Sequence, residues 1–382
     1  MRACIRLDDG ACSEWFLVNH GLRQGCVLSP LLFNIFFTAV LDVAMSRCMN
    51  DARARDSMVT IRSRFDTSPL CNKSRQGKTR ADRDAIVRNL LRCMLYADDA
   101  GIVSRSAEGL SAMMSHIVIT CQEFGLVVSE TKTETMRMRE VDTEELRVQA
   151  AGQSYPQCVN FTYLGGCIND KADITAEIRR RRQRAAAKMR KYSKPVFDRK
   201  ARIARRTKLS LVETEVVATL LYGCETWTLS DTHYRMLRQS HHHYLLRCVG
   251  FKKRARTDHL LSYHELLRNT KVESIESMIR RRRLQWAGKL VRMPNERLPK
   301  MMLFGELEHG KRRRGAPPNN WRRCLKDDLN KFKIDTNKWI ELASDEKQWQ
   351  ELLEKSSTEF FAQWLADKQE ERRLRHAKAA II

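Results

Sequence analysis

The tetrapeptide Tyr96-Ala97-Asp98-Asp99 lies between two apolar runs, Leu90 to Leu95 with Arg92 interrupting and Ala100 to Val103 with Gly101 inside. The pattern predicts two short strands joined by a tight acidic turn. Such a hairpin would hold two adjacent carboxylates at the tip of a rigid scaffold, where a hard cation such as Mg²⁺ could be bound by oxygen ligands. Two-metal phosphoryl chemistry requires an arrangement of that kind. Asp-Asp is also ordinary turn chemistry, so the neighbouring segments decide between the two readings.

Upstream, Gly21-Leu22-Arg23-Gln24-Gly25-Cys26-Val27-Leu28-Ser29-Pro30 reads as a loop entering a helix, with Ser29 as N-cap and Pro30 as the first helical residue. From Leu31 to Met45 that helix is apolar almost all round, broken only by Asn34, Thr38 and Asp42 at a spacing of four. A buried helix with one polar stripe is expected. Fifteen residues carrying an Asp make a poor bilayer span, and no membrane partner is expected. Downstream, Ser106 is the expected N-cap of a second helix whose apolar residues keep helical spacing from Leu110 to Phe124, ending at Gly125. Leu126-Val127-Val128-Ser129 is a strand candidate, followed by Lys132.

Taken in this order, the segments resemble the reverse transcriptases of non-LTR (LINE-type) retrotransposons. Gln24-Gly25 with Ser29-Pro30 looks like the second block of the polymerase palm, Tyr96 to Asp99 like the catalytic third, and Phe124-Gly125 through Lys132-Thr133-Glu134 like the fourth. Phe161-Thr162-Tyr163-Leu164-Gly165-Gly166 is similar to the primer-grip block. Leu221-Tyr222-Gly223-Cys224-Glu225-Thr226-Trp227, Leu284-Gln285-Trp286-Ala287-Gly288 and Arg297-Leu298-Pro299-Lys300 resemble segments that follow the polymerase in this group.

The resemblance implies an RNA-directed DNA polymerase that transfers deoxynucleotides from their triphosphates to a DNA primer 3′ hydroxyl on an RNA template, with Mg²⁺. Asp98 would be a metal ligand, and Asp99 would add field and a second contact. Gln24 and Gly25 would sit beside the templating pair with Tyr96 near the nucleotide, the glycine allowing close approach of the backbone. Lys132 would lie near the leaving pyrophosphate, although by type it is equally a solvated lysine. Tyr163, Leu164 and Gly165 would hold the primer terminus, or serve only as hairpin residues. The family's further aspartate, on a strand before the Gln-Gly block, has no counterpart before Gly21. Arg2 to Leu7 and Glu14 to Val18 read instead as a hairpin whose turn contains Asp8, Asp9 and Gly10. Met1 is therefore expected to fall inside a polymerase domain, leaving the two-metal site incomplete.

A net charge of +24, from 70 Lys and Arg against 46 acids, and a pI near 9.8 suit a partner rich in phosphates. From Arg179 to Arg206 there are fourteen Lys or Arg and one acid, Asp198. A charge run is commonly a solvated helical face. Its place after the primer-grip-like block would put it in a thumb, where Arg179, Arg180, Arg181, Arg182, Lys188, Arg202, Arg205 and Arg206 would face the template–primer duplex. Further basic clusters at 252–254, 280–283 and 311–314 are followed in two cases by a tryptophan, Trp286 or Trp321. These tryptophans are read as helix anchors before single-strand stackers.

The expected fold is α+β, with a partial right-hand polymerase palm at 1–170, a helical thumb at 171–250 and a mostly helical basic region at 251–382. A polar insertion from Asn50 to Asp84 reads as a mobile loop around a short strand at Val59-Thr60-Ile61. Ile203 to Leu221 and Tyr234 to Val249 are the expected thumb helices. Gly315-Ala316-Pro317-Pro318 reads as a linker. The final helix would dock on the thumb or on a partner protein. Twelve cysteines without paired spacing or a secretory signal point to free thiols in an intracellular, reducing compartment, and the resemblance implies the nucleus. A zinc site at His241, His242, His243 and Cys248 is rejected, because three adjacent histidines on a helix cannot converge on one ion. A catalytically dead nucleic-acid-binding remnant and a structural or protein-interaction module remain as alternatives.

Overall fold

A computed structural model describes residues 2–4, 6, 10–17, 27–70, 86–91, 93–138, 148–250, 261–309 and 320–379. In chain order the elements are β1 (Arg2–Ala3), β2 (Phe16–Leu17), α1 (Ser29–Asn50), α2 (Ala52–Ser57), β3 (Val59–Ser63), β4 (Val87–Leu91), β5 (Cys93–Tyr96), β6 (Asp99–Ile102) and α3 (Ala107–Glu123). Then come β7 (Val148–Ala150), β8 (Gln153–Tyr155), β9 (Asn160–Tyr163), β10 (Gly166–Asn169), α4 (Thr175–Lys191) and α5 (Arg205–Leu211). A π-helical turn, Val212–Val217, carries α5 on to Ala218–Leu220. The chain continues through α6 (Asp231–Cys248), α7 (Tyr263–Thr270), α8 (Ile275–Arg292), α9 (Leu298–Phe304), β11 (Gly305–Leu307), α10 (Trp321–Lys331), α11 (Trp339–Ser344) and α12 (Glu346–Ala379). The fold is α+β with small antiparallel sheets. It divides into one compact unit of Met1–Val59, Leu90–Thr135 and Glu144–Gln157, and a second of Thr60–Asn89, Met136–Thr143 and Cys158–Ile382.

The first unit is organised by α3. Ser106 caps it as the sequence predicts, its Oγ accepting from the Gly109 N–H at 3.1 Å, and Gly125 leaves it at a φ of 75°. Two adjacent apolar stripes follow from the helical period. Met113, Ile117 and Cys121 meet Val40, Leu41, Ala44 and Cys48 of α1, while Met114 and Val118 meet Val148, Ala150 and Tyr155 of the β7–β8 hairpin. Each Val, Leu, Ile or Met among them contributes about 1.5–3 kcal/mol on full burial. Arg47 donates to both carboxylate oxygens of Glu123, at 2.9 and 2.7 Å, and adds a polar tie between α1 and α3. At the N-terminus, β1 and β2 pair antiparallel as expected, and the Asp8-Asp9 turn lies outside the described residues.

Three expectations are corrected in this part of the chain. Ser29 is the first residue of α1 and not its cap, which is Leu28 without a side-chain bond. The helix is not buried all round: Leu31, Leu32, Ile35 and Phe36 are exposed, because only the C-terminal half has α3 against it. At 22 residues it is also long and apolar enough, by length and composition alone, to cross a bilayer, so the argument from fifteen residues does not hold. The third is Leu126 to Ser129, which is no strand; Leu126 and Val128 pack on α1 and α3 without joining a ladder.

The insertion is also more ordered than expected around its strand candidate. Asp51 caps α2 by accepting from the Arg53 N–H at 2.9 Å. The Arg53 guanidinium and then the His116 ring hold its carboxyl far below the usual carboxylate range. Helix α2 crosses α3 at Gly109, where a Cβ would lie 1.9 Å from Ser57 Oγ. Gly109→Ala is therefore expected to destabilise the protein by about 1–3 kcal/mol, the range for overpacking a tight core, and Ser57→Gly should recover part of the loss in urea unfolding.

In the second unit β3 pairs with β11, Ser63 opposite Gly305 and Ile61 opposite Leu307, in a sheet ordered β11-β3-β4. A core of Ile178, Met189, Val216, Leu220, Trp227, Leu237 and Ile279 joins α4, α5, α6 and α8. The C-terminal half of α8 enters another core with Leu325, Leu329, Trp339, Trp349 and Leu353. Trp286 and Trp321 pack partly buried against this second core. Gly288 admits Trp349, whose Nε1 donates to the Leu284 carbonyl at 3.1 Å. Phe361, Trp364 and Leu365 of α12 pack on Tyr263, Leu266 and Leu267, so the final helix docks within this unit.

Candidate functional site

The acidic tetrapeptide forms the expected hairpin. Strands β5 and β6 pair Cys93 with Ile102 through Tyr96 with Asp99, leaving a two-residue turn of Ala97 and Asp98. Ala97 occupies the left-handed region at a φ of 53°, the conformation that a primed two-residue turn demands and that matches strand twist. At its inner end Ile102 packs against both cores of the first unit. At the outer end Tyr96, Asp98 and Asp99 are exposed, and neither carboxylate has an ion-pair partner among the described residues. Two accessible oxygen donors on a packed support suit a hard divalent cation that keeps waters and takes substrate phosphates as further ligands. No cluster of three or more His, Cys, Asp or Glu with metal-binding placement occurs among the described residues.

Lys132 is exposed on a turn in the same unit. The Thr133 N–H and hydroxyl both donate to the Ser129 carbonyl, at 3.1 and 2.8 Å, and Glu130 accepts from the Ser154 N–H at 3.0 Å. Phe124, just after α3, meets Phe36 of α1 edge-on at 6.3 Å. Gln24 and Gly25 lie outside the described residues.

In the second unit Tyr163, Leu164 and Gly165 end the β9–β10 hairpin. Tyr163 pairs with Gly166, and both turn residues have positive φ, 48° for Leu164 and 78° for Gly165. Leucine pays a steric cost there. The turn is held by Arg181, which the sequence reading places against the duplex and which is instead buried, and by Tyr222 and Glu177, to which that reading gives no role. The Tyr222 hydroxyl donates to the Leu164 carbonyl at 3.1 Å, and Arg181 donates to the Gly165 carbonyl. The Arg181 guanidinium lies 4.4 Å from the centre of the Tyr222 ring, and its Nε donates to Glu177 at 2.5 Å. Glu177 completes the circuit by accepting from the Cys167 N–H at 2.9 Å. The spacing of Glu177 and Arg181, four apart on a helix, was the available signal.

The basic run therefore has several structural environments. Arg181 is 3% exposed and bonded internally, while Arg180 reaches the Thr162 hydroxyl at 3.2 Å. Arg182 Nε donates to Ser240 at 2.8 Å, Lys188 pairs with Glu215 at 2.7 Å, and Arg205 reaches the Asn269 carbonyl at 3.3 Å. Arg179, Arg202 and Arg206 are exposed. The cluster at 280–283 is largely internal as well. Arg280 and Arg283 each contact Asp328 at 2.5 Å, and Arg281 pairs with Glu273 at 2.7 Å. The clusters at 252–254 and 311–314, and the linker at 315–318, lie outside the described residues.

The histidine triplet is divided by the helix. His241 is fully buried with Nδ1 2.7 Å from the Tyr263 hydroxyl, and His242 Nε2 lies 3.0 Å from the Leu261 carbonyl. Tyr263 Oη accepts from the Ile275 N–H at 3.2 Å, so its proton is available for His241, which is neutral. Burial first, then His242, pulls the His241 pKa down from 6.5 to about 3. The unfolded chain takes up this proton near pH 6.5 and the folded protein does not, so this contribution to stability is present above that pH and lost as pH falls towards 3. Urea unfolding is expected to show about 1.4 kcal/mol less stability from this group at pH 5.5 than at pH 7.5, and His241→Gln should remove that difference.

Residues 1–168 match the family model for reverse transcriptase (RNA-dependent DNA polymerase). The chain is also similar to an uncharacterised transposon-derived protein of Caenorhabditis elegans, 25% identical over 279 residues that cover 71% of this chain and 98% of that protein. No solved structure matches the chain. Residues 1–168 are thus similar to reverse transcriptases, and most of the chain is similar to a transposon-derived protein.

Proposed function

We propose that this chain is a LINE-type RNA-directed DNA polymerase that extends a DNA primer on an RNA template with deoxynucleoside triphosphates in the nucleus. The observation that carries the reading is the pair Asp98 and Asp99, exposed on the tip of a supported hairpin inside the segment that matches reverse transcriptases. Residues 1–170 would act as palm, 171–250 as thumb, and 251–382 as a basic helical region. Asp98 and Asp99 would hold Mg²⁺, which when bound stabilises charge on the transferring phosphoryl group.

The remaining roles belong to the chain's own side chains. Tyr96, Gln24 and Gly25 would contact the incoming nucleotide and its template partner. Lys132 would stabilise charge on the leaving pyrophosphate or protonate it. Tyr163, Leu164 and Gly165 would hold the primer end, with Arg181 and Tyr222 as positioning residues that keep the turn in its strained conformation. The exposed cations of the 179–206 run would neutralise duplex phosphates.

The test is incorporation of labelled deoxynucleotides by the purified chain on a primed RNA template, with Mg²⁺ and without it. Template-dependent, Mg²⁺-dependent extension would support the reading. No extension with retained nucleic-acid binding would replace the reading by the binding remnant.

A further inference from the structure

Helix α1 is apolar on two opposite faces, and the first unit covers one of them. Val40, Leu41, Ala44 and Cys48 meet α3. On the far side Leu28, Leu32, Ile35, Ala39 and Val43 recur at steps of three and four and form one stripe about 22 Å long, with Phe36 beside Ile35. All six are exposed, and Leu28, Leu32 and Ile35 are more than half exposed. With Leu31 at its margin the stripe presents roughly 600 Å² of apolar surface, the upper end of what a monomer shows. Phe124, half-exposed and edge-on to Phe36, extends it toward the ~800 Å² per partner of a standard stable interface.

The stripe is complementary to itself. Between Ser29 and Ser46 the only charged residue is Asp42, and Arg47 beyond it is paired with Glu123 at 2.7 Å. A second α1 laid antiparallel across the first, with the midpoint between Ile35 and Phe36, brings Leu28 level with Val43, Leu32 with Ala39 and Ile35 with Phe36. The larger side chain then faces the smaller in each outer pair, the alternation that lets two helices interdigitate. The same register brings Asp42 level with Ser29 of the second copy. That first turn has no acidic residue and no side-chain cap among the described residues, so Asp42 answers the positive end of its dipole. Each copy receives what it gives, as a two-fold axis requires. A lipid surface fits less well, because it leaves Asp42 without a partner and the rest of α1 is already packed on α3.

We infer that the exposed stripe of α1 is a homodimer interface, in which two copies of this chain pair their α1 helices antiparallel about a two-fold axis. The inference goes beyond the polymerase reading and does not rest on it, since association requires neither template nor Mg²⁺.

The experiment is sedimentation velocity of the full 44.5 kDa chain, after nuclease treatment and in EDTA, with salt to screen its net charge of +24. Concentrations of roughly 1–100 μM span the range of a moderate interface. A particle of twice the monomer mass is expected. Leu32→Glu and Ala39→Lys should each weaken association about tenfold or more, because each buries an unpaired charge. Mixed one to one, the two variants should associate more tightly than either does alone, since the new carboxylate of one copy meets the new ammonium of the other. Leu374→Glu, at an exposed leucine outside the stripe, should leave the mass unchanged. Thermal unfolding of each variant checks that it is folded. A monomer throughout the range overturns the inference, and a monomer that binds phosphatidylserine vesicles unless Leu32→Glu is present gives the face to lipid instead. A dimer that neither substitution weakens, or a mixture no tighter than its parts, overturns it as well.

Discussion

Asp98→Ala is expected to lower any Mg²⁺-dependent primer extension by the protein about 10³-fold or more while leaving nucleic-acid affinity unchanged or slightly higher. The magnitude corresponds to the several kcal/mol that a correctly held metal supplies to a transferring phosphoryl group. Asp98 lies in the turn and is exposed, and its side chain supports no packing, so the substitution should not disturb the fold. Removing one negative charge from the hairpin tip also lessens repulsion of a polyanion. The check combines extension kinetics with Mn²⁺ binding followed by electron paramagnetic resonance, a readout independent of turnover. If parent and variant extend primers equally, Asp98 is a turn residue and nothing more. Asp99→Asn should show a smaller loss, because the amide keeps an oxygen donor but not the charge.

Asp328→Ala is expected to destabilise the protein by about 3–5 kcal/mol, the cost of leaving buried charge without its partner. Asp328 is 0% exposed and lies 2.5 Å from both Arg280 and Arg283, and the latter is 1% exposed and also donates to the Trp227 carbonyl at 2.9 Å. Burial pushes the Asp328 carboxyl up, and the two guanidiniums pull against it. Removing the carboxylate strands Arg283, while Arg280 keeps Asp327 at 2.7 Å, whereas Arg283→Met combined with Asp328→Leu replaces one charged pair with apolar volume. The double variant should therefore lose much less stability than Asp328→Ala in urea unfolding. A loss below 1 kcal/mol for Asp328→Ala would show that water reaches the pair.

Elements whose cause is local were legible in the sequence. Apolar runs on either side of an acidic turn marked the β5–β6 hairpin, and Ser106 with Gly125 bracketed α3, because turn geometry and helix capping depend on residues a few positions apart. Helix boundaries were less secure: α1 starts at Ser29 and runs five residues past Met45, since an apolar pattern shows that a helix forms but not where its cover ends. Leu126 to Ser129 has strand composition but no strand partner, and pairing is a property of two segments.

The destinations of the cations belong to the tertiary structure. Arg179, Arg181 and Arg182 are chemically identical and nearly adjacent, yet one is exposed, one clamps a turn and one is anchored on Ser240. Which occurs depends on what each α4 face meets, and Tyr222, Ser240 and Glu215 lie 27 or more residues from their α4 partners. Likewise the pairing of Ser63 with Gly305 and the meeting of Arg283 with Asp328 follow from long-range packing that no local pattern encodes. By itself, then, the sequence determined the chemistry available to this protein: an acidic hairpin tip, its resemblance to a polymerase, and a large excess of positive charge. Only the tertiary structure decided which charges remain available to a ligand and which are consumed in holding the fold, because burial and pairing depend on distances in space rather than along the chain.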